Sequence, residues 1–363
     1  MRKNFLIICL AICTVVALWF SAQPQHDIDG CYNYNKTNDQ RITACTELLY
    51  AALYNRGNAY ESKGEYDRAI ADFGRLIELN PKSVSAFIDR GNAYNYKRDY
   101  DRAISDNSKA IELDPKSALA LEQRGFAYIG KKDYDRSIAD FSKAIELAPK
   151  ASLAYQSRAF DYTIKGDYDH AIADNSKAIE LDPKFVYAYS NRGAAYNSKG
   201  KYDRAIADSS KAIELDPKYA LAFINRGYAY DNKGEYDHAI ADYDKAIELD
   251  PKDIYSYLDR YLDEARSGKD GAQELAKGTL QLERKWPYPV VDFYLGKTSR
   301  HQMKSEANDD DKKCDLAYYT GEWELLKGDE GIVKGLLQKA VNTCPKKMFA
   351  YDRATAELKR MAK

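Results

Sequence analysis

Residues 51–81 read AALYNRGNAYESKGEYDRAIADFGRLIELNP, and close variants of this stretch follow one another at intervals of 34 residues. Apolar and small residues recur three and four positions apart in both halves of each variant, which is the period of an amphipathic helix. A fixed period of this length indicates that one supersecondary unit is stacked repeatedly, so the sequence predicts a solenoid. One proline closes each unit: Pro81, Pro115, Pro149, Pro183, Pro217 and Pro251.

Each unit is predicted to contain two helices joined by a turn. Four units carry a glycine at the turn, where the left-handed conformation that ends a helix is needed; these are Gly64, Gly166, Gly200 and Gly234. Arg98 and Lys132 stand at this position in the other two units, so we expect their turns to be less relaxed. The proline ends the second helix because it lacks an N–H group and disfavours helical geometry in the residue before it.

Three sets of residues recur in register. They are the small residues Gly57, Gly91, Gly125, Gly193 and Gly227; the aromatic residues Tyr60, Tyr94, Tyr128, Tyr162, Tyr196 and Tyr230; and Ala69, Ala103, Ala171, Ala205 and Ala239. On these residues the chain resembles the tetratricopeptide repeat (TPR) family over residues 50–253, in six consecutive units. The resemblance implies an all-α, right-handed superhelix (an α-solenoid) of antiparallel helix pairs.

One recurrent position departs from the usual pattern of the family. An arginine stands where many members carry leucine, and an aspartate follows it sixteen residues later in every unit. The constant spacing predicts a ladder of ion pairs within or between units, with the arginine stem covering apolar surface. An anion-binding stripe is the alternative, which is disfavoured because each arginine has its own carboxylate.

Residues 1–22 predict a targeting segment, in which Arg2 and Lys3 precede an apolar run from Phe5 to Phe20. The run has the length of a signal-peptide core and is short for a membrane-spanning helix. Cleavage after Ala22 and retention as an N-terminal anchor both remain open. In either case we expect the protein to be exported, to the periplasm or anchored facing it.

The cysteines agree with export, because an even number in an exported chain favours disulfides. Residues 314–363 are predicted to form a final TPR-like hairpin and a C-terminal capping helix. Cys314 opens this hairpin and Cys344 closes it, so we expect them to pair. Cys31 and Cys45 are predicted to tie residues 23–49 together as an N-terminal cap. Zinc binding is the alternative, disfavoured by long spacings and the absence of an accompanying histidine.

Residues 254–313 keep the helical period but lose the register of proline and glycine, so they are predicted to be a degenerate helical segment. The C-terminal part resembles the NlpI-like TPR lipoproteins of bacterial envelopes in four stretches: VVDFYLG (290–296), GEWELLKGD (321–329), KAV (339–341) and ATAELKRM (354–361). This resemblance implies an adaptor that docks envelope hydrolases or proteases and that dimerises. No lipid-attachment motif accompanies it, since Cys9 and Cys13 both follow isoleucine.

Composition argues against nucleic-acid binding and catalysis. The formal net charge is −1, with 55 basic and 56 acidic residues, whereas nucleic-acid binding needs a basic face. The four histidines do not combine with a nucleophile or a metal-ligand pattern, and His170 and His238 stand where other units carry arginine. No phosphate-binding or hydrolase motif is present in the sequence. We therefore expect no enzyme activity, no cofactor and no metal.

The remaining candidate site is the concave groove, which the first helix of each unit lines in TPR solenoids. Positions there vary between units, from asparagine-rich at the start to apolar near Phe126 and Phe160. A protein or peptide partner is predicted to bind as an extended or helical segment with an aromatic or aliphatic anchor. The alternative is a membrane-anchored, oligomeric scaffold without a groove ligand. The predicted groove residues are Tyr54, Asn58, Glu61, Asn92, Asn95, Glu122, Phe126, Ile129, Phe160, Tyr228 and Asp231.

Overall fold

The computed structural model describes residue 31, residues 35–345 and residues 349–362, so the predicted targeting segment lies outside the described residues. The described residues form nineteen α-helices and no β-strand. The chain divides into two compact units, the N-terminal unit (Met1–Leu147) and the C-terminal unit (Ala148–Lys363).

The helices are numbered here in chain order. Those of the N-terminal unit are α1 (Asn38–Ser62), α2 (Tyr66–Leu79), α3 (Val84–Tyr96), α4 (Tyr100–Leu113), α5 (Ala118–Gly130) and α6 (Tyr134–Leu147). Those of the repeats in the C-terminal unit are α7 (Ser152–Ile164), α8 (Tyr168–Leu181), α9 (Val186–Ser198), α10 (Tyr202–Leu215), α11 (Ala220–Lys233) and α12 (Tyr236–Leu249). The remaining helices are α13 (Ile254–Arg266), α14 (Ala272–Gly278), α15 (Tyr288–Tyr294), α16 (Arg300–Glu306), α17 (Asp310–Leu326), α18 (Glu330–Thr343) and α19 (Phe349–Met361).

The predicted fold class, an all-α TPR solenoid of antiparallel helix pairs, is confirmed by helices α1 to α12. The recurrent small residues let the two helices of a pair approach closely. A Cβ atom on Gly57 would lie 2.7 Å from the ring of Phe73 on the second helix, so a larger residue would displace that ring. The recurrent alanine of the second helix, such as Ala69, is completely buried at the same contact. Close packing of this kind stabilises each pair through dispersion and burial of apolar area.

The Arg–Asp ladder is confirmed, and its pairs lie within repeats. In each pair the arginine Nε and Nη2 atoms donate to the two carboxylate oxygens of the aspartate, at 2.7–2.8 Å. This two-bond geometry fixes the relative orientation of the first and second helices. The pairs are Arg56–Asp72, Arg90–Asp106, Arg124–Asp140, Arg158–Asp174, Arg192–Asp208 and Arg226–Asp242.

The turns between paired helices adopt the predicted left-handed conformation. Gly64, for example, has a φ of 74°. Arg98 and Lys132 also have positive φ values, of 61° and 60°, which an L-residue with a side chain adopts only at a cost. The expectation that these two turns are less relaxed is therefore confirmed.

A second set of ion pairs, which joins consecutive repeats, was not predicted. Lys233 on α11 binds Asp203 in the first turn of α10 at 2.8 Å, and Lys97 binds Asp67 in the same way. The spacing of 30 residues between these partners recurs along the chain. The aspartates are highly exposed, so each pair contributes little to stability.

Helices α13 to α19 enclose a separate hydrophobic core in the C-terminal unit. Leu258, Val290, Met303 and Leu337 are completely buried in it. The helix α13 continues the first-helix series, and its Arg260 stands at the ladder position. Because α14 provides no aspartate sixteen residues later, Arg260 instead binds Asp244 of the preceding repeat at 2.7 Å and Glu264 at 2.9 Å. The ladder therefore ends at α13.

Both predicted cysteine pairs are joined. Cys314 and Cys344 have Cα atoms 5.0 Å apart and link the start of α17 to the end of α18. The Cα atoms of Cys31 and Cys45 are 4.7 Å apart, and this bond ties the start of the described chain to α1. Thr37 and Gln40 form a capping box at the N-terminus of α1, which satisfies two backbone N–H groups there.

Candidate protein-binding site

The first-helix face of the N-terminal unit carries eight of the predicted groove residues. Tyr54, Asn58 and Glu61 lie on α1, Asn92 and Asn95 lie on α3, and Glu122, Phe126 and Ile129 lie on α5. All eight are partly buried, so each keeps some surface open to solvent.

Two asparagines of this face join neighbouring repeats. Asn92 on α3 donates from Nδ2 to Oε1 of Glu61 on α1 at 2.5 Å. Asn95 donates to the backbone carbonyl oxygen of Gln123 on α5 at 3.0 Å. The side-chain amide of Asn95 therefore donates to a hydrogen bond between repeats. Glu61 accepts the bond from Asn92 with one carboxylate oxygen, so its second oxygen can bind another partner.

Phe126 is held by its own repeat. Its ring meets the edge of Phe141 on α6, with ring centroids 5.2 Å apart and planes at 73°. Aromatic pairs of this geometry stabilise packing beyond the area that they bury. Phe126 is thus a partly exposed apolar side chain that packs against the second helix of its own repeat.

Three carboxylates give this face an acidic character. Burial raises the pKa of Glu61 and of Glu122, in the case of Glu61 against the hydrogen bond from Asn92. Burial, and secondarily the negative charge of Glu61, raise the pKa of Asp89 on α3 to about 6. Among the described residues no lysine or arginine forms an ion pair with any of the three. A bound cation would offset the free-energy cost of keeping these partly buried carboxylates charged.

Asp89 was missing from the predicted set. Its Oδ2 atom is shielded from solvent and has no hydrogen-bond partner among the described residues. The residue directly precedes the ladder arginine Arg90, at a repeat position that the predicted groove residues did not include. A comparison of charge at that position would have found it, since only Asp89 and Asp259 carry a carboxylate there.

The predicted groove residues of the C-terminal unit differ from one another in their exposure to solvent. Phe160 on α7 is 38% exposed, whereas Tyr228 and Asp231 on α11 are only 5% and 6% exposed. The sequence predicts an open groove at these two residues. The structure instead places them under α19, the chain's own C-terminal helix.

Helix α19 contacts α11 through two arginines. The guanidinium carbon of Arg353 lies 5.1 Å from the centre of the Tyr228 ring, a cation–π contact. Arg360 lies 3.8 Å from the carboxylate of Asp231. Further along α19 towards its N-terminus, Asp352 accepts hydrogen bonds from Ser198 on α9 at 2.5 Å and from Tyr168 on α8 at 3.3 Å. The helix therefore occupies the first-helix face of repeats in the C-terminal unit.

Buried charges fix this helix in place. Arg353 donates two hydrogen bonds to the carboxylate of Asp259 on α13, and both side chains are almost completely buried. Burial raises the pKa of Asp259 to about 6, although Arg353 acts in the opposite direction. Nearby, the buried Arg266 binds Asp231 at 2.7 Å and also donates to Glu322 on α17. Such networks are costly to disrupt, because removing one partner leaves an uncompensated charge.

Two arginines and one histidine outside the ladder pack against tyrosine rings. Arg102 and Arg136 stack on Tyr94 and Tyr128, each with its guanidinium carbon 4.7 Å from the ring centre. His170 stacks on Tyr162 in the same way, at 5.0 Å between ring centroids. This supports the interpretation of His170 as a substitution within the repeat.

Metal-ligating side chains do not gather in groups of three or more anywhere in residues 35–345 or 349–362. None of the described helices combines the length and the apolar character needed to cross a membrane.

Antiparallel helix pairs at a 34-residue period, with a face of first helices in each unit, define an α-helical solenoid repeat protein. The chain belongs to the tetratricopeptide repeat family. Models described as tetratricopeptide repeat match residues 50–83, 84–117, 118–151, 186–219 and 220–253, and a TPR repeat model matches residues 161–199. Together these matches cover more than half of the chain.

Several solved structures are similar to part of the chain. YrrB, described as a TPR protein with an unusual peptide-binding site, is 26% identical, with 51% of this chain and 95% of that chain covered and a TM-score of 0.44. A MamA structure is 30% identical, with 45% and 96% covered and a TM-score of 0.42. A tetratricopeptide repeat protein from Parabacteroides merdae is 22% identical, with 66% and 98% covered and a TM-score of 0.48. None of the curated proteins compared with the chain matches it.

Proposed function

We propose that this protein is an exported, non-catalytic adaptor that binds a protein or peptide partner on the first-helix face of its N-terminal unit. The observation that carries the proposal is the difference between the two units. In the C-terminal unit the first-helix face holds a helix, α19, through Arg353 and Asp352. In the N-terminal unit the corresponding face keeps its carboxylates without ion pairs among the described residues and its aromatic side chains partly exposed.

Export is supported by two features. The basic and apolar residues at the start of the chain have the pattern of a signal or anchor segment. The two disulfides fit an oxidising compartment such as the periplasm. The resemblance of the C-terminal part to NlpI-like proteins favours an envelope hydrolase or protease as partner, and a homodimer as the assembly to test.

The alternative is a membrane-anchored scaffold that oligomerises without a ligand on the first-helix face. The apolar run from Phe5 to Phe20 favours it if this run stays on the mature protein. Mass spectrometry of the mature N-terminus separates the anchored form from the cleaved form. Light scattering after size exclusion measures whether the protein oligomerises.

Site-specific photo-crosslinking in cells tests the proposed binding face. A photoreactive residue is placed at Tyr54, Asn58 or Ile129 on first helices. The matched controls are Arg75 and Lys143, which are exposed on second helices. We expect the same partner to be captured from the first-helix positions and not from the controls. Equal capture from both sets, or capture only from the second helices, would contradict the proposal.

A further inference from the structure

The face that receives α19 has a counterpart five repeats earlier in the chain. Asp231 on α11 and Asp259 on α13 are the acidic residues that contact Arg360 and Arg353. Glu61 and Asp89 occupy the same two repeat positions on α1 and α3. Glu61 precedes Asp231 by 170 positions, and Asp89 precedes Asp259 by the same number, which equals five repeats of 34.

We call two consecutive first helices a junction, in which one helix contributes the position of Glu61 and the next contributes the position of Asp89. Both positions carry a carboxylate only at the first and the last of these junctions. The four junctions between them contain no acidic residue: Asn95 with Gln123, Ile129 with Ser157, Thr163 with Asn191, and Asn197 with Asn225. Two of these junctions are closed by a direct bond, since Asn95 donates to the Gln123 carbonyl at 3.0 Å and Asn197 donates to the Asn225 carbonyl at 2.8 Å. A repeat of this chain therefore does not need an acidic pair in order to stack.

At the last junction, arginines of the chain itself satisfy the acidic pair. Arg353 binds Asp259 with two hydrogen bonds, and Arg266 binds Asp231 at 2.7 Å. Arg360 approaches the same Asp231 from α19, seven residues after Arg353. Seven residues are two helical turns, so both arginines lie on one side of α19.

At the first junction no cation of the described chain takes this role. Tyr96 stands at the position equivalent to Arg266. Glu61 accepts a hydrogen bond from the neutral amide of Asn92, and the Oδ2 atom of Asp89 is shielded from solvent without a hydrogen-bond partner. Glu122 adds a third partly buried carboxylate on α5. The repeat position that holds Arg266 in the C-terminal unit is thus occupied by an uncharged residue in the N-terminal unit.

We propose that Glu61 and Asp89 accept the guanidinium groups of a helical segment of a partner protein, which carries two arginines seven residues apart. This inference rests on the proposed function and specifies the chemistry of the partner. The arginines would bind as Arg353 and Arg360 do on the equivalent carboxylates, and charge-assisted hydrogen bonds of this kind are among the strongest in proteins. Arginine suits the site better than lysine, because its planar group can donate two parallel bonds to one carboxylate.

The C-terminal helix supplies a probe whose arginine spacing is known to fit. A fluorescent peptide of residues 349–361, FAYDRATAELKRM, is titrated with the full-length mature protein, and binding is followed by fluorescence anisotropy. The tethered α19 has a high effective concentration at its own site, so the added peptide reports on the open pair. The control peptide replaces both arginines, which correspond to Arg353 and Arg360, by glutamine.

Two protein variants complete the design. Glu61→Gln/Asp89→Asn removes the charges of the pair with minimal change in shape. Glu78→Gln/Glu146→Gln removes the same number of charges from exposed positions on the second helices. Circular dichroism and thermal unfolding establish that both variants remain folded. We expect the affinity of the arginine peptide to fall about tenfold or more for E61Q/D89N, a loss of about 1.4 kcal/mol per tenfold, and to stay nearly constant for E78Q/E146Q.

Equal affinity of the arginine peptide for wild type and E61Q/D89N, or of both peptides for wild type, would overturn the inference. A dimer that E61Q/D89N dissociates would also overturn it, since a second copy's α19 would then be the occupant. If crosslinking from Tyr54 still captures a partner while the arginine peptide fails, the proposed function stands and only this inference falls. If E61Q/D89N abolishes that capture as well, both are supported.

Discussion

An interior pair of the Arg–Asp ladder should contribute more to stability than the pair at the end of the array. Arg192 and Asp208 are mostly buried, with 19% and 10% of their side-chain surface exposed, and are joined by two bonds of 2.7–2.8 Å. Arg56 in the first repeat has the same bonds to Asp72 but is 58% exposed. Water can therefore solvate Arg56 once its partner is removed, whereas Arg192 would keep a single hydrogen bond, to Ser176 at 3.0 Å.

The magnitude follows from the burial. Removing one partner of a fully buried ion pair costs about 3–5 kcal/mol, so the partly accessible Arg192 should place Asp208→Ala near 2–3 kcal/mol. A double-mutant cycle with Arg192→Met should give a coupling energy of about 1–2 kcal/mol, within the range measured for contacting residues. The cost of Asp72→Ala should be clearly smaller.

Urea denaturation followed by circular dichroism measures the free energy of unfolding for each variant. Because a repeat array can lose two-state behaviour, native-state hydrogen exchange of α9 and α10 provides the local value. Equal costs for Asp208→Ala and Asp72→Ala would refute the reasoning from solvent exposure. A coupling energy near zero between Arg192 and Asp208 would show that the ladder orients helices without stabilising them.

Three further predictions concern single residues. Lys132→Gly should stabilise the protein by about 0.5–1 kcal/mol in urea denaturation because it relieves a positive φ, whereas Lys131→Gly next to it should destabilise. Arg353→Met should leave Asp259 buried without its cation, cost about 3 kcal/mol and abolish hydrogen-exchange protection in α19 without changing α1 to α6. Burial raises the pKa of Asp352 to about 6 in the folded state, so that state binds more protons than the unfolded chain and stability should fall as pH rises from 4 to 7. Asp352→Asn should reduce this pH dependence, by an amount on the order of 1–3 kcal/mol in pH-dependent unfolding measurements.

The repeat period made the regular part of the fold predictable. The recurrent prolines and glycines predicted where the helices end. The sixteen-residue spacing of arginine and aspartate predicted the ladder of ion pairs. Periodic patterns are informative because the residues that form one contact recur in every repeat of the chain. The disulfide between Cys314 and Cys344 was predictable for a related reason, since the two ends of an antiparallel hairpin lie side by side.

The position of α19 could not be predicted in this way. Arg353 and Asp259 are 94 residues apart and form a contact that occurs once, so no internal comparison reveals it. Asp89 was missed for a different reason: its repeat position, one residue before the ladder arginine, was not among those predicted to line the groove. Burial of Tyr228 likewise depends on a helix from outside the repeats, which repeat geometry alone does not place.

The reach of α19 has a consequence for how the gene can change. This helix contacts α8, α9, α11 and α13. All of these contacts can form together only if the number of repeats beneath α19 stays the same. Unequal recombination between the coding segments of the repeats would add or remove whole repeats. In the C-terminal unit such an event would separate the tail from these contacts. Lineages should therefore agree in the number of repeats beneath α19.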